Sequence, residues 1–266
     1  MSEVKIAPIP DLGQRTDEIT IYAGPCSVES AEQFDEVAEC IADLGLTWIR
    51  GGAFKPRTNP HSFQGLGEEA LKIMKSAGDR YNLKTLTEVM DSAHCQLVAD
   101  YVDGLQVGAR NFQNFSLLKK IGEVTADTHQ MVLHKRGFAG TIAEWLAATD
   151  YITDHGNTNV VLCERGIRTF ETSMRNTLDL AGVVMLHKMT HLPVIVDPSH
   201  ACGHAWMVPQ LAKAAVAAGA DGLMIEVHND PAKAKCDGAQ SLTPDQFDEL
   251  MGFIRKEVEF FGKKMN

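Results

Sequence analysis

Short apolar runs recur along the chain every few dozen residues, separated by stretches in which apolar residues return at three- and four-residue spacing. The runs are ITIYAGPCS (20–28), TWIRGG (47–52), KTLTEV (84–89), GLQVGAR (104–110), QMVLHKR (130–136), NVVLCERG (159–166), PVIVDPSH (193–200) and GLMIEVH (222–228). Near-continuous runs of this length predict strands of a parallel sheet covered on both faces. Between the first two, SAEQFDEVAECIADLG (30–45) puts Phe34, Val37, Ala38, Ile41 and Leu44 on one helical face, with Ser30 as N-cap and Gly45 closing the C-terminus. Helices are predicted likewise over 67–78, 92–101, 141–152, 177–189, 208–219 and 244–262. Eight strands alternating with helices predict an α/β chain folded as a single (β/α)8 TIM barrel. The first strand is not followed by a GxGxxG turn, and Gly65 and Gly67 in FQGLGEEA do not complete one, so an open dinucleotide-binding sheet is disfavoured. The expected organisation is an N-terminal extension over 1–18, too short for a domain, and a barrel over 19–266.

The 266 residues suit one barrel of this kind. With 44% hydrophobic and 23% charged residues, the composition is that of an ordinary globular protein, without a run apolar enough for a membrane span. The first residues lack a basic patch followed by an apolar stretch, so a cytoplasmic location is expected. A net charge of -10 argues against nucleic acid as a partner. Six cysteines without a CxxC pair indicate neither a disulfide framework nor a zinc knuckle.

What changes this picture is where the polar residues fall. Cys26, Arg50, Glu88, Arg110, Lys135, Arg165, His200 and Glu226 stand at or just past the ends of the eight runs, the end of a barrel strand that builds active sites. Arg50, Lys55, Arg57, Arg110, Lys135, Arg136, Arg165 and Arg168 would form a basic hollow in an acidic protein, suited to a small, multiply charged anion; the alternative is that they are surface charges or ion-pair partners. In RGGAFKPRTNP (50–60), two glycines allow close backbone approach to a ligand, and prolines stiffen a loop presenting Lys55, Arg57 and Thr58. Arg110, Lys135, Arg165 and Arg168 would line an opposite wall for a second anion. Cys26, His200, Glu226 and Asp237 come from neighbouring strands of the closed barrel and make a donor set for Mn, Fe, Co or Zn rather than Ca or Mg. Alternatives are a His200–His204 pair at i, i+4, or a histidine and cysteine that are merely structural.

The segments AGPCSVES, RGGAFKPRTNP, QVGARN, HKRG, CERGIRTFE, VDPSHACG and GLMIEVHNDPAKAKCDGAQSL together resemble the 3-deoxy-D-arabino-heptulosonate 7-phosphate synthase family in its short, core-only beta-type form, from about residue 18 onward. The resemblance implies condensation of phosphoenolpyruvate with erythrose 4-phosphate, one divalent metal ion held by Cys26, His200, Glu226 and Asp237, and a homotetramer or homodimer. It implies that Arg50, Lys55, Arg110, Lys135 and Arg165, with Ala109, bind phosphoenolpyruvate. Lys55, Pro56, Arg57 and Thr58 would then face the aldose phosphate. Lys55, Glu88, Cys26 and His200 are the implied catalytic residues, Lys55 as proton donor to the new alkoxide. The related 3-deoxy-D-manno-octulosonate 8-phosphate synthases, which use arabinose 5-phosphate, are the alternative; KPRT favours the four-carbon aldose, and Cys26 favours metal dependence. A non-catalytic barrel, or an aldolase or isomerase with a single anion wall, would lack part of this set.

The chain departs from the family pattern at Asn59, at His134, where an apolar residue is usual, and over Cys202, His204, Ala205 and Trp206. No additional regulatory segment is recognisable, so weak or no inhibition by aromatic amino acids is expected.

Overall fold

The computed structural model describes residues 18–55, 59 and 61–265. Eight parallel strands close on themselves: β1 (Glu18–Gly24), β2 (Trp48–Arg50), β3 (Lys84–Val89), β4 (Gly104–Val107), β5 (Met131–Lys135), β6 (Val160–Glu164), β7 (Val194–Val196) and β8 (Gly222–Glu226). Each pairs with the next, and β1 pairs with both β2 and β8, so the barrel leaves no open edge. A short β9 (Lys264–Met265) adds to the start of β1. Around the barrel run α1 (Ala31–Asp43), α2 (Glu68–Tyr81), α3 (Cys95–Ala99), α4 (Phe115–Thr125), α5 (Ile142–Thr153), α6 (Leu180–Met189), α7 (Pro198–Cys202), α8 (Val208–Ala217) and α9 (Pro244–Phe260). All eight expected strands are present, and Glu18, expected in the extension, already belongs to β1. Residues 1–17 lie outside the described residues.

Local chemistry explains the helix boundaries. The Ser30 hydroxyl accepts from Gln33 N and starts α1. Gly45, at a φ of 67°, sits just past its end. Thr141 and Thr243 open α5 and α9 with reciprocal capping boxes to Glu144 and Gln246. Helix α4 is absent from the sequence expectation although Leu117, Leu118 and Ile121 recur at helical spacing behind the N-cap Asn114. Helix α6 begins three residues later than expected, because 165–179 forms a long loop tied by an Ile167–Thr177 bridge.

Two apolar clusters make the core. One fills the space between barrel and helices with the outward strand residues, among them Ile21, Ile49, Val132, Leu162, Val194 and Ile225. The other lies inside the barrel: Tyr22, Leu86, Leu133, Cys163, Ile195 and Met224, with Trp48 against them. Side chains alternate in and out along a strand, so the residue two positions beyond each interior apolar residue also points inward, one layer higher. Those residues are Gly24, Arg50, Glu88, Lys135, Arg165, Asp197 and Glu226. The apolar plug thus ends where the chemistry begins.

Candidate active site

Strand β1 carries its chain into the site through Gly24, whose φ of 143° brings it so close to Arg50 that a Cβ would stand 2.1 Å from the Arg50 carbonyl oxygen. Cys26 follows, almost fully buried. His200 is set by the start of α7: the Asp197 carboxylate caps the helix, accepting from His200 N at 2.9 Å, and Pro198 occupies the first turn. The same carboxylate accepts from His200 Nδ1 at 2.7 Å, which leaves Nε2 turned toward Glu226 Oε1 at 3.2 Å. Glu226 ends β8; its backbone N–H donates to Ser199 Oγ at 3.0 Å, and its Oε2 accepts from Gln240 Nε2 at 2.7 Å. Asp237 sits in the following loop in the left-handed region, which Asp tolerates better than most residues, and its Oδ2 accepts from Arg175 at 3.0 Å.

One donor atom from each of Cys26, His200, Glu226 and Asp237 lies within 4.8 Å of all the others. The electrostatics suit a cation. Burial, then the nearby Cys26 thiol and the Asp237 and Asp197 carboxylates, push the Glu226 carboxyl well above its ordinary range, against the pull of Arg50. The Cys26 thiol is pushed well up by its contact with Cys236 and by burial, while Lys55 opposes. Burial holds the His200 imidazole well below its usual value, with Lys135 and Arg175 acting in the same sense against Asp197. A neutral imidazole with Nδ1–H donated to a carboxylate presents the Nε2 lone pair that a metal takes. A thiol, an imidazole and two carboxylates crowded in a water-poor pocket are the donors of a borderline divalent ion, whose charge would relieve their mutual repulsion. The residues present therefore fit such an ion.

Above these donors opens a cavity of about 330 Å³, lined by Arg50, Lys55, Arg110, Lys135, Arg165 and Arg175 together with His200 and Asp237. Lys55 is buried, its Nζ donating to Cys26 O at 2.9 Å and lying 3.2 Å from Cys26 Sγ. Although burial disfavours its charge, Cys26, Cys236 and Glu88 hold its pKa well above the ordinary lysine value. Lys135 donates to Asp197 Oδ2 at 2.6 Å, so one carboxylate anchors both the lysine and the histidine. Arg50 donates to Glu226 at 3.1 Å, yet its Nε is buried with no hydrogen-bond partner among the described residues. A buried, unpaired N–H is costly, and Arg50 lines the cavity, where an anion could be bound. Glu88 also lines the cavity and packs against Gly108, where any Cβ would collide with its carboxylate at 1.9 Å.

The structure brings together Cys26, Arg50, Lys55, Glu88, Ala109, Arg110, Lys135, Arg165, His200, Glu226 and Asp237. Pro56, Arg57 and Thr58 lie outside the described residues. Arg136 is not part of the hollow. Lys135 points inward, so its neighbour points outward, and Arg136 donates to Glu164 at 2.9 Å and Asp179 at 2.8 Å behind the barrel wall. The Gly51–Gly52 pair serves the chain rather than a ligand: a Cβ on Gly52 would meet the Lys55 side chain at 2.5 Å and the Cys26 carbonyl at 2.7 Å. The His200–His204 pairing does not form, because α7 ends at Cys202 and His204 Nε2 donates to Ser173 O at 3.3 Å. The departure over 202–206 thus stays outside the donor cluster. Residues that sequence reasoning missed are Asp197, Arg175, Gln240 and Cys236; the Asp-Pro-Ser-His run carries a signal for Asp197, an N-cap three residues ahead of the histidine.

Comparison with known proteins agrees with this geometry. Residues 12–259 match the pattern of the DAHP synthetase I family. The phospho-2-dehydro-3-deoxyheptonate aldolase of Thermotoga maritima is 48% identical over 247 residues, covering 93% of this chain and 72% of that protein. A 2-dehydro-3-deoxyphosphooctonate aldolase of Nitrobacter hamburgensis is 33% identical over 274 residues, covering 93% of this chain and 92% of that protein. The crystal structure of the Thermotoga heptonate enzyme superposes with a TM-score of 0.90 at 47% identity, covering 94% of this chain and 72% of the other. A truncated form of the Thermotoga 3-deoxy-D-arabino-heptulosonate 7-phosphate synthase gives 0.87 at 43% identity, over 98% and 94% of the two chains. By its barrel, its site and its sequence, this chain belongs to the DAHP synthetase I family.

Proposed function

We infer that the chain condenses phosphoenolpyruvate with erythrose 4-phosphate and water to give 3-deoxy-D-arabino-heptulosonate 7-phosphate and inorganic phosphate, the entry reaction of the shikimate pathway. The observation that carries this reading is the 48% identity to a heptonate enzyme, against 33% to an octonate enzyme, over equal shares of the chain.

In the reaction, C3 of phosphoenolpyruvate attacks the aldehyde carbon of the aldose phosphate, water adds at C2, and the resulting hemiketal phosphate loses phosphate by C–O cleavage. Arg50, Lys135 and Arg165 bind the phosphate and carboxylate of phosphoenolpyruvate, Arg110 and Ala109 close that wall, and Lys55 with Pro56, Arg57 and Thr58 receives the aldose phosphate. Arginine forks suit such groups because they bond two oxygens at once. The ammonium of Lys55, held charged by its acidic neighbours, donates a proton to the alkoxide formed at the former aldehyde, which is basic enough to take it. Glu88, which lines the cavity, takes the proton from the incoming water. Cys26, His200, Glu226 and Asp237 would hold the divalent ion, which when bound supplies polarisation of the aldehyde oxygen. The main contribution of the cations is to hold two anions together that otherwise repel.

The chain is read as a cytoplasmic homo-oligomer, a dimer or tetramer. Among the described residues no helix is long and apolar enough to cross a membrane, and Phe170 and Trp206, 98% and 77% exposed, are apolar surface of the kind that self-association covers. Light scattering reads the mass directly. The decisive assay follows phosphate release from phosphoenolpyruvate with erythrose 4-phosphate or arabinose 5-phosphate, after metal removal and readdition. Release that needs the four-carbon aldose and returns with Mn, Fe, Co or Zn is expected; preference for arabinose 5-phosphate would overturn the substrate assignment.

A further inference from the structure

Phe138 follows Gly137 in the loop after β5 and lines the cavity. Three guanidinium groups stand around its ring: that of Arg165 at 4.8 Å from the centroid, Arg168 at 5.2 Å and Arg110 at 5.6 Å. All are within the range, about 6 Å, at which an aromatic face attracts a cation. They arrive from two other loops, after β4 and after β6, and the Arg168 backbone N–H fastens the loop after β6 to that after β5 by donating to Phe138 O at 2.7 Å.

Among the described residues, none of the three forms an ion pair with a carboxylate, although Asp197 and Glu164 stand near enough to Arg165 to favour its charge. Elsewhere around the cavity the chain does supply one: Glu226 for Arg50, Asp197 for Lys135 and Asp237 for Arg175. Arg165 is buried, yet its N–H groups reach only the neutral Asn176 amide oxygen at 2.5 Å and the His200 carbonyl at 3.1 Å. Bringing like charges together where water is scarce carries a Coulomb cost that an acidic residue ordinarily offsets. An acidic residue here would also repel the phosphate that these cations are read to bind. A phenyl ring avoids that conflict, since its face attracts cations through a quadrupole and carries no net charge.

We propose that Phe138 is a positioning residue for phosphoenolpyruvate: its ring gathers Arg110, Arg165 and Arg168 into one cationic wall in which no carboxylate forms a direct ion pair. The inference rests on the reading of Arg110 and Arg165 as anion-binding residues. It assigns a role to a side chain set apart from the reacting atoms, and it keeps Arg168, expected on this wall but outside the cavity lining, as a support acting through the Phe138 ring.

The test replaces Phe138 in the full-length, metal-loaded chain by phenylalanine carrying one, two or three ring fluorines. These weaken the quadrupole at nearly constant shape, and Phe138→Leu and Phe138→Tyr complete the series. KM for phosphoenolpyruvate and Kd for inorganic phosphate, by calorimetry, are expected to rise together with each fluorine, to about tenfold in the trifluoro and leucine forms, while kcat moves less and tyrosine stays near wild type. Arg165→Met is measured alongside. If Arg165→Met weakens both constants and the fluorine series is flat, Phe138 is packing only and the proposal fails. If Arg165→Met changes neither constant, the anion-wall reading itself fails.

Discussion

The sulfur of Cys26 lies 3.2 Å from the sulfur of Cys236, a residue 210 positions away in the chain, in the buried floor of the cavity. The two thiols are not joined, and Cys26 is also one of the four clustered donor residues. A peroxide can therefore take both hydrogens, forming one S–S bond and two waters, and in doing so remove the thiolate from the donor set. Mild hydrogen peroxide is expected to release bound metal and abolish turnover, with a peptide linking residues 26 and 236 found by mass spectrometry and activity returning after thiol reduction and metal readdition. Cys236→Ser should lose its activity more slowly under the same treatment. Equal inactivation rates for the two proteins would rule the pair out as the vulnerable point.

Asp197 joins the two halves of the site, accepting at 2.6 Å from Lys135 and at 2.7 Å from His200. Burial alone would raise its carboxyl, but His200 and Lys135 hold it well below the carboxylate range. Asp197→Asn keeps the shape and removes the charge. Metal affinity of the apo-protein is expected to fall about 10- to 100-fold, as for other partners of ligating histidines, and KM for phosphoenolpyruvate should rise as Lys135 loses its anchor. Unchanged metal binding would show that Asp197 only caps α7.

Much of this was readable before any coordinates. Buried parallel strands announce themselves as short apolar runs, and eight of them alternating with helices leave little choice of architecture. The inward set at the strand ends follows from the two-residue period of a strand, which is why Arg50, Lys135 and Arg165 fall in one cavity. The same parity within QMVLHKR turns Arg136 outward. What the sequence could not carry is contact between loops distant along the chain. Cys236 meeting Cys26, Gln240 meeting Glu226 and Arg175 meeting Asp237 are set by how the loops after β6 and β8 fold over the barrel mouth, and no local pattern encodes that.

Arg136 makes a prediction opposite in kind to that for its neighbour. Its guanidinium bridges Glu164 and Asp179, and Glu164 is fully buried and also accepts from Gly166 N at 2.6 Å. Arg136→Ala leaves those acids without their cation, an operation that typically costs about 3 to 5 kcal/mol when the charge left behind is buried. Urea unfolding should register that loss, whereas KM for phosphoenolpyruvate in the folded fraction should hold. A large KM change at unaltered stability would return Arg136 to the binding hollow.

His134, which departs from the apolar residue usual in its family, sits on the outward side of β5 and is fully buried. Its Nε2 lies 3.0 Å from the Phe112 carbonyl oxygen, to which it donates, and its Nδ1 lies 2.9 Å from Thr149 Oγ1, whose one hydroxyl hydrogen is also within reach of the Trp145 carbonyl at 2.9 Å. Burial pulls its pKa from 6.5 down to about 4, opposed only by the Phe112 carbonyl. In the unfolded chain the ring regains its ordinary value, so between those two pH values the unfolded state holds a proton that the folded state does not. Stability then rises with pH across the window: nothing is lost above pH 6.5, and the full penalty, about 3 kcal/mol, is reached below pH 4. His134→Leu removes the titrating group while filling the same apolar layer. Urea unfolding of both proteins at half-unit steps from pH 7 to pH 4 should show the wild-type stability falling more steeply, by up to about 1.4 kcal/mol per pH unit, the slope of one extra proton taken up by the unfolded chain. Because the acid-sensitive donor cluster is common to both proteins, its own contribution cancels in the difference. Parallel stability curves would mean that His134 takes up its proton in the folded chain as readily as in the unfolded one, and that its burial does not select the neutral ring.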